Sequence, residues 1–438
     1  MERTITQKFE SWKNSGVKKP LVVIGARQVG KTYIIRAFGE ENYKSTLEIN
    51  FQDNISARNF FSVSRSSDEI ADYLKLNYST FSFSKDNLIF FDEVQLCPEL
   101  ITSLKFLPEK LSCDFICSGS MLGVRMHKMS SWPVGYVEIL TLNPITFPEF
   151  ILACGIEKKY IDRIKNCIST FENVPDAIHD KFNALFTDYM ICGGLPEAVE
   201  AYINGGIADA VKVNRRLAND YRMDIAHYAE SSTKIKAEEC FDAIPLQLAK
   251  DNKKFQYSLV KRGGNARHYE ESLSWLENAG LIIKTYRLSG IEKPLDTKKE
   301  PGIFKVYMFD SGILVSMFSD GDIYGFLSDT LGTYKGLLYE NVFATILNCC
   351  GIKSYYYEPN TSSEIDFVVN FNGQITPIEV KSGMRTKSKS FDNFIKNHSS
   401  KHALRFSRKN IGISNDGITM YLPVYTAPFI FESTCDFN

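Results

Sequence analysis

One eight-residue stretch near the start, Gly25-Ala26-Arg27-Gln28-Val29-Gly30-Lys31-Thr32, constrains this chain more than any other. It fits G-x-x-x-x-G-K-[ST] at every defined position. The context agrees: the apolar run LVVI precedes it and the helix-forming run YIIRAF follows. A strand that enters a glycine-bearing turn and opens a helix aims backbone N–H groups and the positive helix end at one point. Gly25 and Gly30 supply backbone angles and close approach that a side chain would block. Lys31 places a positive charge for β- and γ-phosphates, and the Thr32 hydroxyl suits Mg²⁺. The chain is therefore expected to be α/β, with a phosphate loop on a parallel sheet that takes a nucleotide with Mg²⁺.

A partner to this loop follows at Leu88-Ile89-Phe90-Phe91-Asp92-Glu93. Four apolar residues form a buried strand, and two carboxylates stand at its C-terminal end, where open α/β sheets bind ligands. Asp92 is expected to hold Mg²⁺ opposite Thr32, and Glu93 to orient the attacking water. A further strand, Asp114–Cys117, ends in Ser118-Gly119-Ser120, where Ser118 or Ser120 is expected to reach the γ-phosphate or that water, with a plain Ser-Gly-Ser turn as the competing reading. With Leu21–Ile24, Thr46–Phe51 and Val137–Leu142, five strands alternate with helical stretches, the pattern of a parallel sheet.

GARQVGKT, LIFFDE and ICSGS in this order resemble the AAA-type ATPases, a resemblance that implies ATP as the nucleotide. The phrases YVEILTLNPITFPEF, GGLPEAV, KFQYSLV, NARHYEESLSWLENAGLI and FKVYMFDSGIL resemble, more narrowly, bacterial and archaeal AAA-type ATPases with a C-terminal domain of unassigned function. Relatives often read Gly-Arg before the fifth strand, whereas this chain has Gly135-Tyr136, so an arginine finger there is missing. Arg215, Arg216 and Arg222 are alternatives, with a solvated helix face as the other reading. The resemblance also implies a winged-helix module near 234–290 and a homo-oligomeric arrangement. Around that module Lys253, Lys254, Lys261, Arg262 and Arg267 are suited to DNA phosphates, and Asn265 and His268 to base edges. A purely protein-packing role is the competing reading.

At 438 residues the chain is long enough for two to four domains. The expected divisions are 1–150, the ATPase domain; 151–230, helical; 231–300, the winged helix; and 301–438, a C-terminal α/β domain. In the third, residues from about Ala266 to Ala279 have helical periodicity, with Gly280 as the C-terminal cap. Net charge is −1, so nucleic-acid contact would have to come from a local patch. No apolar run approaches membrane-spanning length and no signal segment opens the chain, so the expected location is cytoplasmic, without membrane partners. Ten cysteines without a Cys-x-x-Cys pair and six scattered histidines do not form a zinc pattern.

The last region carries Glu340 in an amphipathic run, Asp366 in SSEIDFVVN, and Glu379 with Lys381 in PIEVK. Asp366 and Glu379 are spaced as on a hairpin, and Glu379 and Lys381 share a strand face. This resembles the PD-(D/E)xK restriction-endonuclease-like core, in which carboxylates hold Mg²⁺ and a lysine serves the transition state. Two outputs stay open: a nucleotide-driven enzyme acting on nucleic acid, or a nucleotide-gated regulatory or binding switch without nuclease activity.

Overall fold

In the computed structural model the described residues are all of 1–438 except 17, 64, 121–134, 229–232, 251, 328–331, 361–362, 384–387, 399 and 433–438. They form two compact units, one comprising Glu2–Asn143 with Asn278–Gly280 and the other Pro144–Glu277 with Leu281–Asn438.

The first unit is built on five strands: β1 (Leu21–Gly25), β2 (Ser45–Asn50), β3 (Asn87–Asp92), β4 (Asp114–Ser120) and β5 (Glu138–Thr141). Their order is β2-β3-β4-β1-β5, and every pairing is parallel. β3 is buried along its whole length, which explains its unbroken apolar run. Phe91 stacks on Phe51 and Phe115, with ring centroids 6.0 and 6.4 Å apart. β4 lies between β1 and β3, so the end of β4 sits between the phosphate loop and Asp92. Ser118-Gly119-Ser120 is not a turn but the last part of β4, held extended by parallel pairing of Gly119 and Ser120 with Ile24 and Gly25.

The second unit begins with helices Phe147–Ala153, Lys158–Thr170, Asp176–Cys192, Pro196–Gly205 and Ile207–Tyr228. Helices Lys234–Leu248, Tyr257–Val260 and Ala266–Asn278 follow, and Gly280 takes a left-handed φ of 71°. Then come β6 (Ile282–Leu288), β7 (Lys299–Met308), β8 (Ser354–Asn360), β9 (Ser363–Phe371), β10 (Gln374–Val380), β11 (Ala403–Ser407), β12 (Gly412–Ile413) and β13 (Thr419–Pro423). These eight make one sheet in the order β12-β13-β11-β10-β9-β8-β6-β7. The antiparallel β6–β7 hairpin is thus no free wing, because β6 also pairs with β8. The division expected at 300 falls inside β7, since backbone pairing there crosses what sequence patterning had separated.

The run GGLPEAV has a packing explanation in this unit. A Cβ on Gly194 would stand 2.2 Å from the Ile145 carbonyl oxygen, so only glycine fits. The Gly194 N–H donates to Asp310 Oδ2 at 2.7 Å, and the Ile313 N–H donates to Asp310 Oδ1 at 3.0 Å, which caps the helix Ser311–Ser316. His179 is a core residue too: its ring bonds the Tyr425 hydroxyl at 2.9 Å and the Arg408 carbonyl at 3.1 Å.

Burial pushes the Asp310 carboxyl from 3.8 up to about 6, against the pull of its N–H donors. Between those values the folded chain keeps a proton that the unfolded chain releases. Stability therefore falls as pH rises through this window, by about 3 kcal/mol from this group. Chemical unfolding of the parent and of Asp310→Asn at pH 4.5 and pH 7 checks this. The variant should lack that share of the pH dependence.

Candidate functional site

The phosphate loop emerges from buried β1 and enters the helix Lys31–Asn42 through Gly30, which caps it at a left-handed φ of 93°. Gln28 is also left-handed, with φ of 63°. A Cβ on Gly25 would come within 2.4 Å of the Leu142 carbonyl oxygen, so glycine is required there by packing against the chain after β5. Lys31 is buried at 7% exposure, and its ammonium donates to the Gly25 and Ala26 carbonyls at 3.1 and 2.8 Å. Burial lowers its pKa to about 8, while Glu93 and Asp92 oppose the shift. Among the described residues, loop carbonyls are the hydrogen-bond partners of this buried ammonium.

Asp92 collects four donors. The Thr32 hydroxyl donates at 3.0 Å, the Asn50 amide at 3.0 Å and the Glu93 N–H at 3.1 Å, and the Ser118 hydroxyl makes the fourth contact. Burial pushes the Asp92 carboxyl upward, and the bonds from Ser118 and Thr32 pull it back. The hard oxygen donors of Thr32 and Asp92 face each other, a set that suits Mg²⁺. Glu93 sits just past β3 at a left-handed φ of 59°, and the Gln95 amide donates to its carboxylate. The Gln95 carbonyl oxygen accepts the Ser120 N–H at 3.2 Å, so this one side chain joins Glu93 to the end of β4. The buried Ser120 hydroxyl has no hydrogen-bond partner among the described residues.

The expected set Gly25–Thr32, Asp92, Glu93, Ser118 and Ser120 is thus gathered at one end of the sheet. Sequence reasoning missed Asn50 and Gln95. Asn50 had a signal, because it ends β2 in register with Asp92. Gln95 had none, because its role depends on the left-handed turn at Glu93. Tyr136 is exposed with Lys105 over its ring at 4.0 Å. Of the alternative arginines, Arg215 pairs with Asp320 at 2.7 Å, Arg222 with Asp242 at 2.8 Å, and Arg216 with Glu197. Those pairs fit the helix-surface reading.

In the second unit, β9 and β10 form an antiparallel hairpin closed by Asn372 and Gly373, both left-handed. Asp366 Oδ2 accepts the Val380 N–H at 2.8 Å. Lys381 lies 3.0 Å from Glu379 Oε1. Glu340 meets Lys253, the Tyr307 hydroxyl at 3.3 Å and Lys305 at 3.7 Å. Burial works against ionisation of Glu340, but Lys253 and Lys305 outweigh it and hold the carboxyl well below its usual range. Burial and the Glu340 charge push Asp366 the other way. The structure therefore brings Glu340, Asp366, Glu379 and Lys381 together, but with Lys253, Lys305 and Arg405, which the sequence did not single out. Among the described residues no group of three or more His, Cys, Asp or Glu is placed to hold a metal ion. Of the basic residues expected around the winged-helix module, Lys253 is spent on Glu340 and Lys261 pairs with Glu239 at 3.1 Å. Arg262, Asn265, Arg267 and His268 remain exposed.

Residues 17–151 match the AAA domain family. The sheet order and the loop geometry agree with that match, so the first unit is an AAA-type P-loop domain. Residues 183–322 and 335–426 match two families described as domains of unknown function, DUF8612 and DUF4143. No curated protein matches the chain. Among solved structures, the Walker-type ATPase PABY2304 of Pyrococcus abyssi is similar at 14% identity, covering 71% of this chain and 94% of that one, with a TM-score of 0.43. ORC1 of Aeropyrum pernix, solved in complex with DNA, is 11% identical over 75% and 92% of the two chains, with a TM-score of 0.32. RuvB of Thermotoga maritima, a Holliday junction branch migration motor, is 16% identical over 65% and 90%, with a TM-score of 0.30. No helix among the described residues is long and apolar enough to cross a membrane.

Asp92→Ala leaves the Thr32, Asn50 and Ser118 donors without their acceptor. It should destabilise the nucleotide-free protein by roughly 1–3 kcal/mol, measured by denaturant unfolding.

Proposed function

We propose that this chain binds ATP with Mg²⁺, hydrolyses it, and uses the nucleotide state to govern binding by its second unit. The observation that carries the reading is the Asp92 hub beside a buried Lys31 held by loop carbonyls. Gly25–Thr32 would cradle the phosphates with backbone N–H groups, and Lys31 would exchange the Gly25 and Ala26 carbonyls for phosphate oxygens. Thr32 and Asp92 would hold Mg²⁺, which when bound neutralises charge on the phosphates. Glu93 would accept a proton from, and orient, the attacking water. Ser118 and Ser120, at the end of β4, would register the γ-phosphate. Gln95 positions Glu93 and links it to Ser120, so the carboxylate and the sensing strand end move together.

The partner proposed for the second unit is DNA, contacted through the three helices before β6. Exposed Arg262 and Arg267 would meet phosphates, and Asn265 and His268 would face base edges. A homo-oligomer would supply in trans the cation that Tyr136 does not provide. The nuclease-like reading of the C-terminal sheet lacks a comparable observation, because its carboxylates are already engaged by cations or an N–H group. A nucleotide-gated binding switch is therefore the favoured output.

Titration calorimetry and phosphate release test the ATP reading. Lys31→Ala should lose ATP binding, and Glu93→Gln should bind ATP normally while turnover falls by ~10²–10⁴. ATP affinity of the parent should weaken as pH rises above about 8, because free Lys31 then sheds the proton that the bound state requires. Binding of duplex DNA should weaken with rising salt, and the slope against salt should drop by about 2 in the Arg262→Ala, Arg267→Ala double variant. An unchanged slope removes that face from the contact.

A further inference from the structure

We infer that the carboxylate cluster of the C-terminal sheet is closed by the chain's own cations and takes no divalent metal, with the lysines of neighbouring segments standing where a metal would bind. Four carboxylates, Glu340, Glu364, Asp366 and Glu379, face four cations, Lys253, Lys305, Lys381 and Arg405. Nearly every oxygen of the expected metal ligands is in use. Glu340 Oε1 meets Lys253, and Glu340 Oε2 meets Tyr307 and Lys305. Glu379 Oε1 meets Lys381, and Glu379 Oε2 lies 2.7 Å from Arg405 Nε in a charge contact at an angle poor for a hydrogen bond. Asp366 Oδ2 is occupied by the Val380 N–H.

Lys305 is the centre of the argument. It sits mid-strand in β7, is 1% exposed, and has its ammonium on Glu364 and within 3.7 Å of Glu340. A divalent cation entering here would meet ammonium groups at salt-bridge range in a dry interior, where like-charge repulsion is strong. To make room, Lys305 would have to leave full burial and give up both Glu340 and Glu364. Lys253 comes from the turn after the helix Lys234–Leu248, so the cluster also fastens that helical segment to the sheet. Its role is a latch within the second unit, and metal-dependent phosphodiester cleavage at these residues is excluded by the same ion pairs.

The full-length chain tests this without nucleotide, in an Asp92→Asn background that removes the other oxygen-donor site. Mn²⁺ binding is followed by electron paramagnetic resonance, and plasmid nicking is assayed with Mg²⁺ or Mn²⁺. The expected result is no Mn²⁺ uptake and no nicking above background. Lys305→Met should gain Mn²⁺ binding, because Glu340 and Glu364 lose their ammonium. Lys253→Met, at a partly exposed position, gives the same readout if the Lys305 variant fails to fold. Stoichiometric Mn²⁺ uptake abolished by Glu340→Gln, or nicking abolished by Glu379→Ala, overturns the inference. Failure of both lysine variants to gain Mn²⁺ overturns the assignment of lysines as the stand-ins.

Discussion

The N-terminal unit depends on one buried carboxylate. Asp92, 1% exposed, gathers hydrogen bonds from the helix after β1, from the end of β2, from the residue just past its own strand and from β4. Burying such a charge is costly, and the cost is met only because four donors converge on it. That convergence fixes Thr32 opposite Asp92, aligns Ser118 with the loop, and leaves Lys31 folded onto carbonyls that an anion can replace. A parallel sheet with β4 between β1 and β3 is what makes it geometrically available.

The C-terminal sheet solves the same problem differently. Its buried carboxylates are met by whole charges: Lys305 and Lys253 on Glu340, and Lys381 and Arg405 beside Glu379. A carboxylate satisfied by neutral donors can still take a cation, because the donors can turn away to other partners. One already paired with a buried ammonium has little capacity left for a metal. That contrast separates the two acidic sites more sharply than their residue types do.

Legibility followed sequence distance. The strand–loop–helix around Gly25–Thr32 and the apolar strand ending at Asp92 were readable because short fixed spacings carry them. The helix ending before Gly280 was readable for the same local reason. The extension of β4 through Ser120 was not readable, because Ser-Gly-Ser has turn composition and pairing with β1 holds it extended. Arg215, Arg216 and Arg222 gave only a charge pattern, and their carboxylate partners lie between 19 and 105 positions away, at Glu197, Asp242 and Asp320.

From the sequence alone came the glycine-bearing turn ahead of its helix and the parallel sheet, because these rest on local backbone geometry and strand patterning. Only the tertiary structure decided what surrounds the C-terminal acids. Lys253, Lys305 and Arg405 reach them from elements up to 87 residues from their partners, and a side chain's electrostatic neighbours in a packed interior are set by strand register and helix placement, not by spacing along the chain.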